Sequence, residues 1–232
     1  MANPFDLLAP GRLDELRAAL AAGPAAAAAR NAAGTSLLAQ AVYLGSGEAV
    51  ALIRAALAAL EPHEAVMLGD AAAVRAALAR GWDPNDLAPD GFTPLGLAAF
   101  FRQPEIFALL LPLTSDVNQR ARNPQQVAAL HAATAARDAA MVEQLLRAGA
   151  DPGLPQAGGV LPLHAAAQNG DAAIVGLLLL AGASPTAADD RHRSAVDFAR
   201  EGGHAWLAAR LSALAEGQSE PSPERREDQL SP

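Results

Sequence analysis

The four residues Leu130-His131-Ala132-Ala133 return as Leu163-His164-Ala165-Ala166, and Gly149-Ala150-Asp151-Pro152 returns as Gly182-Ala183-Ser184-Pro185, both after 33 residues. Two independent anchors on one spacing describe a chain of repeated supersecondary units, each too small to bury its own apolar face and held by stacking on its neighbours. Between the anchors lie Met141, Val142, Leu145 and Leu146 in one copy and Ile174, Val175, Leu178 and Leu179 in the next, the i, i+1, i+4, i+5 spacing of a helix face. One unit is therefore a short helix, a Gly or polar turn, a longer helix and a Gly-containing loop. Composition agrees: the 51% hydrophobic content is mostly Ala and Leu with only 4% aromatic residues, a mixture that favours helix over strand and supports a sizeable core.

The fullest copy runs from Asp90-Gly91-Phe92-Thr93-Pro94-Leu95-Gly96-Leu97-Ala98-Ala99 through Glu105-Ile106-Phe107 and Leu109-Leu110-Leu111 to Asp116-Val117-Asn118. This pattern resembles the ankyrin repeat: an Asp-Gly turn, TPLH with small residues, Gly, an Ile-Val and Leu-Leu helix, and a closing Gly-Ala-Asp. Weaker copies are read from Gly34 to Arg54, from Ala65 to Asn85 and from Ser194 to Leu211, and Gly11 to Gly23 resembles the second half of a divergent first copy. The resemblance implies an all-α solenoid of stacked helix-turn-helix units with projecting hairpin loops, roughly seven repeats in a domain over 1–216. Approximate unit boundaries are 1–30, 31–61, 62–88, 89–122, 123–155, 156–188 and 189–216, followed by a Ser/Pro-rich acidic stretch over 217–232 that is expected to be disordered because it has almost nothing apolar to bury. Two departures are expected to alter local geometry. The step from Leu95 to Leu130 is 35 residues, with Gln126 where the turn Gly belongs, so that hairpin should be bulged; Pro112 should shorten its helix because it has no amide hydrogen.

Several classes of function are disfavoured. The absence of Cys removes disulfides, thiolate metal sites and a Cys nucleophile. A net charge of −8 with no concentrated basic stretch argues against a nucleic-acid binder. Asp6, Asp14 and Glu15 interrupt what a signal peptide would need, and no apolar run approaches the ~20 residues of a membrane span, so a cytoplasmic, monomeric protein with no cofactor is expected. His131 and His164 take the TPLH position, where the resemblance implies a hydrogen-bonding role in the scaffold, and His204 takes another structural position after the Gly between helices. His63 and His192 have no partner at ligand spacing. Gly158-Gly159 and Gly202-Gly203 read as turns, not phosphate cradles, and Trp82 and Trp206 read as packing or capping residues. No catalytic constellation can be assembled, so no enzymatic activity is expected.

The informative positions are those the repeat does not need. In this family the end of the first helix and the hairpin tip line a concave surface that takes partners. Those helix ends read Tyr43-Leu44, Met67-Leu68 and Phe100-Phe101 in the earlier copies, then Ala135-Ala136, Gln168-Asn169 and Glu201-Gly202. Large apolar groups thus give way to small or polar ones, which a merely solvated face has no reason to do. Phe92 at a hairpin tip extends the patch, and Arg120 and Arg122 in the longer junction beside it read either as solvated loop charges or as a cationic rim that selects an acidic partner. The expected function is a partner-protein adaptor or regulator; an inhibitory or immunity-type subunit of an enzyme and, more distantly, a small-ligand sensor are the alternatives.

Overall fold

A computed structural model describes residues 3–219. They hold fourteen α-helices and no strand beyond two isolated bridges, Arg30 with Ser36 and Ala188 with Ser194. The expected all-α repeat architecture is present. The chain divides into two compact units, Met1–Asp151 and Pro152–Pro232.

The first unit opens with a short 3-10 turn at Pro4–Leu8 and continues through α1 (Leu13–Ala21), α2 (Pro24–Ala27), α3 (Leu37–Tyr43), α4 (Gly47–Ala56), α5 (Pro62–Leu68), α6 (Ala71–Ala79), α7 (Pro94–Phe100), α8 (Pro104–Leu110), α9 (Ala129–Ala135) and α10 (Ala139–Arg147). From α3 onward the helices come in antiparallel pairs, and the first members stack α3 on α5, α5 on α7 and α7 on α9. Local chemistry sets the starts. Ser36, Asp70, Thr93 and Asp138 each accept the backbone N–H three residues on, satisfying an amide that the first turn leaves open, while Pro62, Pro94 and Pro104 occupy the first helical turn. The apolar faces close the stack: Leu37, Leu38, Ile53, Val66, Leu97, Ile106, Phe107, Leu110, Met141, Val142 and Leu145 are all buried.

Hairpin turns precede most of the pairs. In the two regular ones of this unit the chain closes with Asn31 N–H to Thr35 O and Ala88 N–H to Phe92 O. In the 35-residue step the closing bond runs instead from Ala121 N–H to Val127 O, so two extra residues are looped out, and Gln126 adopts a positive φ of 53° where Gly34 and Gly91 have 81° and 85° in theirs. Pro112 acts as expected: α8 ends at Leu110 and tightens into a 3-10 turn over Leu111–Leu113. The pair α5–α6 has no hairpin at all. Only Leu57–Glu61 separates α4 from α5, a stretch without Gly that leads into Pro62.

The second unit holds α11 (Pro162–Gln168), α12 (Ala172–Leu180), α13 (Ala195–Glu201) and α14 (Ala205–Ser219), with α11 packed on α12 and α13, and α13 on α14. His164 fills the scaffold role implied for it. Its Nδ1 accepts from Leu161 N–H at 3.1 Å, its Nε2 donates to Ala187 O at 3.0 Å, and its ring stacks on Phe198 with centroids 4.8 Å apart. Burial pushes its pKa below the usual imidazole value, consistent with the neutral form. The Arg193 guanidinium lies 4.3 Å from the Phe198 ring centroid and pairs with Asp189, whose side chain is 1% exposed. His204 is likewise structural, its ring lying against Gly170, where a Cβ would collide with it. Trp206 departs from expectation. It is 68% exposed, because α14 turns Leu207, Ala208 and Leu211 inward and leaves the indole outside that face. The expected boundary at 216/217 falls inside α14, and residues 220–232 of the acidic stretch lie outside the described residues.

Candidate functional site

The missing hairpin shapes the surface of the first unit. With nothing projecting ahead of α5, the turn before α3 and the turn before α7 approach each other, so closely that a Cβ on Gly34 would lie 3.3 Å from that of Pro89. Beneath them is a narrow crevice lined by Arg30, Ser36, Glu61, His63, Glu64 and Asp90. Its polar groups satisfy one another: Ser36 Oγ donates to Glu64 Oε1 at 2.6 Å, Glu61 N–H donates to Glu64 Oε2 at 2.9 Å, and Arg30 lies 3.4 Å from Glu61. Glu64 stands where His164 stands in its own helix and performs the same two tasks, capping its helix and tying it to neighbouring structure. His63 Nε2 is 3.0 Å from Asp86 O and edge-on to Trp82, which accounts for both side chains as packing elements.

Above the crevice the aromatic residues expected at the surface meet each other. Tyr43, the last residue of α3, is 5.8 Å from Phe101 and 6.3 Å from Phe92 between ring centroids, and Phe100 meets Phe101 edge-to-face at 5.1 Å. These separations lie within the favourable range for aromatic pairs. The Tyr43 hydroxyl donates to Asp90 Oδ2 at 2.7 Å, joining α3 to the turn before α7 across the gap. Burial, and then the bond to the Asp90 carboxylate, push the phenol pKa well above its ordinary value.

Exposure sorts the expected contact residues. Leu44 and Phe100 are 57% and 51% exposed, whereas Tyr43, Phe92 and Phe101 are half-buried in the cluster just described. Met67 is a correction. It is 4% exposed, because α5 is packed by α3, α6 and α7 and buries Glu64, Ala65, Val66 and Met67 in succession. Leu68 is half-buried, like Tyr43, Phe92 and Phe101, and packs against the core formed by Leu37, Leu38, Ala49 and Ile53. Arg120 and Arg122 are exposed on the bulged hairpin; Arg120 donates to Gln126 Oε1 at 3.2 Å, and the Arg122 backbone N–H donates to Gly91 O at 2.9 Å, fastening this hairpin to the preceding one.

One surface went unanticipated. Phe5, Arg30, Asn31, Gln40 and Leu44 line an open groove of about 460 Å³ beside the exposed end of α3. The signal for the missing hairpin was present in the sequence, since no Gly occurs between Gly47 and Gly69 to supply the turn. Among the described residues no group of His, Asp and Glu has the arrangement of a metal site, and no helix is long and apolar enough to cross a membrane.

Stacked helix pairs, capped short first helices and intervening turns define a helical repeat protein. The sequence matches the family model described as ankyrin repeats (3 copies) over residues 62–156 and again over 130–218. The chain belongs to the ankyrin repeat family. A search of curated proteins finds no match.

Proposed function

We propose that the protein is a non-catalytic adaptor or regulator that holds a partner protein on the face of its first unit formed by the ends of α3 and α7 and by the turn before α7. Ankyrin repeats are generic protein-interaction modules, which supports binding as the class of function. The observation that carries the location is the exposure of Leu44 and Phe100 on either side of an ordered aromatic cluster. A rigid, half-desolvated aromatic floor with exposed apolar contacts is the composition of an interface centre. The cluster is already locked by mutual packing and the Tyr43–Asp90 bond, so little conformational freedom remains to be lost on binding.

Leu44→Asp combined with Phe100→Asp is expected to abolish capture of the partner in affinity purification from native cells while helix content and melting temperature stay close to those of the parent. Undiminished capture of the same partner by a folded double variant would remove this face from the mechanism.

A further inference from the structure

The short turn after the first helix of each pair needs a residue at positive φ. Glycine, which has no Cβ to clash, supplies it at Gly45, Gly69, Gly170 and Gly203, with φ between 68° and 80°. After α7 and α9 the position is held by Arg102 and Arg137, at φ 55° and 58°. A left-handed conformation is unfavourable for a residue with a Cβ, so nothing in the turn itself favours arginine there. Both side chains are exposed. Arg120 and Arg122 are carried on the hairpin that links the same two helix pairs, and Phe92 and Phe100 lie between the two sets, in the turn before α7 and at its last residue.

Four acidic residues around α7 and the hairpin after it have partners other than Arg102 and Arg122. Asp90 accepts from Tyr43, Glu105 pairs with Arg75 at 2.8 Å, Asp116 accepts from Asn118 N–H, and Asp138 caps α10. In a chain of net charge −8, this segment therefore presents cationic groups beside exposed apolar ones. The seven residues of α7 span about 10 Å, the reach of three residues of extended chain, so one short segment laid along the helix meets Arg122 near one end and Arg102 at the other.

Building on the binding face assigned above, we propose that its partner is an acidic, apolar peptide segment. Leucine or aromatic side chains of the segment rest on Phe100 and Phe92, and aspartate or glutamate residues on either side meet Arg102 at one end of the floor and Arg122 at the other. Paired charges around a desolvated centre set the register of such a segment and exclude basic competitors.

Selection of 12-residue peptides from a random phage library on the full chain tests this. Enriched peptides are expected to carry Asp or Glu flanking Leu, Phe or Trp. The best of them, synthesised with a fluorescein label, should bind about tenfold more weakly to Arg102→Glu/Arg122→Glu and lose affinity as sodium chloride is raised. Arg102→Gly provides a second variant that keeps the turn: it should melt no lower than the parent yet bind the peptide more weakly, an outcome that a purely structural role for this arginine does not produce. Enrichment of neutral or basic peptides overturns the charge assignment. So does an acidic peptide that ignores the Arg variants but is lost on Leu44→Asp/Phe100→Asp, although that result leaves the binding face intact. Peptides indifferent to both sets, or no enrichment, overturn the face as well. Binding of a labelled dT20 oligonucleotide that the Arg variants lose would reassign the cationic groups to nucleic acid and overturn the peptide.

Discussion

Replacing Tyr43 by Phe removes one hydroxyl and leaves the aromatic contacts to Phe92 and Phe101 in place, so its cost isolates the bond that bridges α3 and the turn before α7. A donor–acceptor distance of 2.7 Å to a carboxylate is that of a charge-assisted bond, a class that contributes about 1.5–3 kcal/mol. Asp90 is only half-buried and can be rehydrated when its partner is lost, which places the expected destabilisation at the lower limit, about 1.5 kcal/mol. For a chain of this size that corresponds to a melting temperature lower by about 3–6 °C. Repeat arrays can unfold in stages. Urea unfolding is therefore best followed by circular dichroism together with fluorescence in a Trp206→Phe background, where Trp82 alone reports on the first unit. Tyr43 is the only tyrosine, so phenolate absorbance near 295 nm follows this one group. Its folded pKa is raised above the unfolded value. The stabilisation is thus fully present below the unfolded value near pH 10 and declines as pH rises beyond it, because the unfolded chain releases the proton first. Asp90→Asn should let the folded protein ionise at lower pH than the parent. A Tyr43→Phe variant within about 0.5 kcal/mol of the parent, or a phenol titrating near pH 10 in the folded state, would refute the bridge as an energetic element.

Met67→Ala should destabilise the chain by about 2–5 kcal/mol in urea unfolding, as truncation of a residue packed among three helices does, and should leave partner capture unchanged per folded molecule. Gly91→Ala should cost about 1–3 kcal/mol, since φ is +85° and the new Cβ would press on the Arg122 carbonyl; a melting temperature equal to the parent's would show that the two hairpins can separate without penalty. In the second unit, burial raises the pKa of the Asp189 carboxyl while hydrogen bonds from Arg193 and Arg191 outweigh it and hold the group at about 2. Its folded pKa is below the unfolded one, so its contribution is present above about pH 4 and is lost as pH falls toward 2. An Asp189→Asn variant should show a smaller loss of melting temperature between pH 5 and pH 2.5 than the parent does.

The repeat, the helix pairs and their turns were legible along the chain because they rest on local rules: the 33-residue spacing, apolar residues at helical intervals, Asp or Thr caps, and Gly at turns. Even the bulge at Gln126 and the early end of α8 at Pro112 could be read this way, as each follows from a residue count or from one missing amide hydrogen. Exposure could not. Met67, Phe100 and Leu44 occupy comparable positions at the ends of their helices, yet the first is buried and the other two are open: Met67 lines the crevice beneath the turns before α3 and α7, a contact between repeats that its own helix does not encode. Only the stacking shows that the turns before α3 and α7 close over Met67, that a missing hairpin lets Tyr43 reach Asp90, and that Arg102 and Arg122, separated in sequence, lie on the turns at the two ends of α7. Sequence determined the repeating unit through interactions between residues a few positions apart; tertiary structure decided which of its side chains remain available to a partner, since burial depends on contacts between repeats that local patterning does not encode.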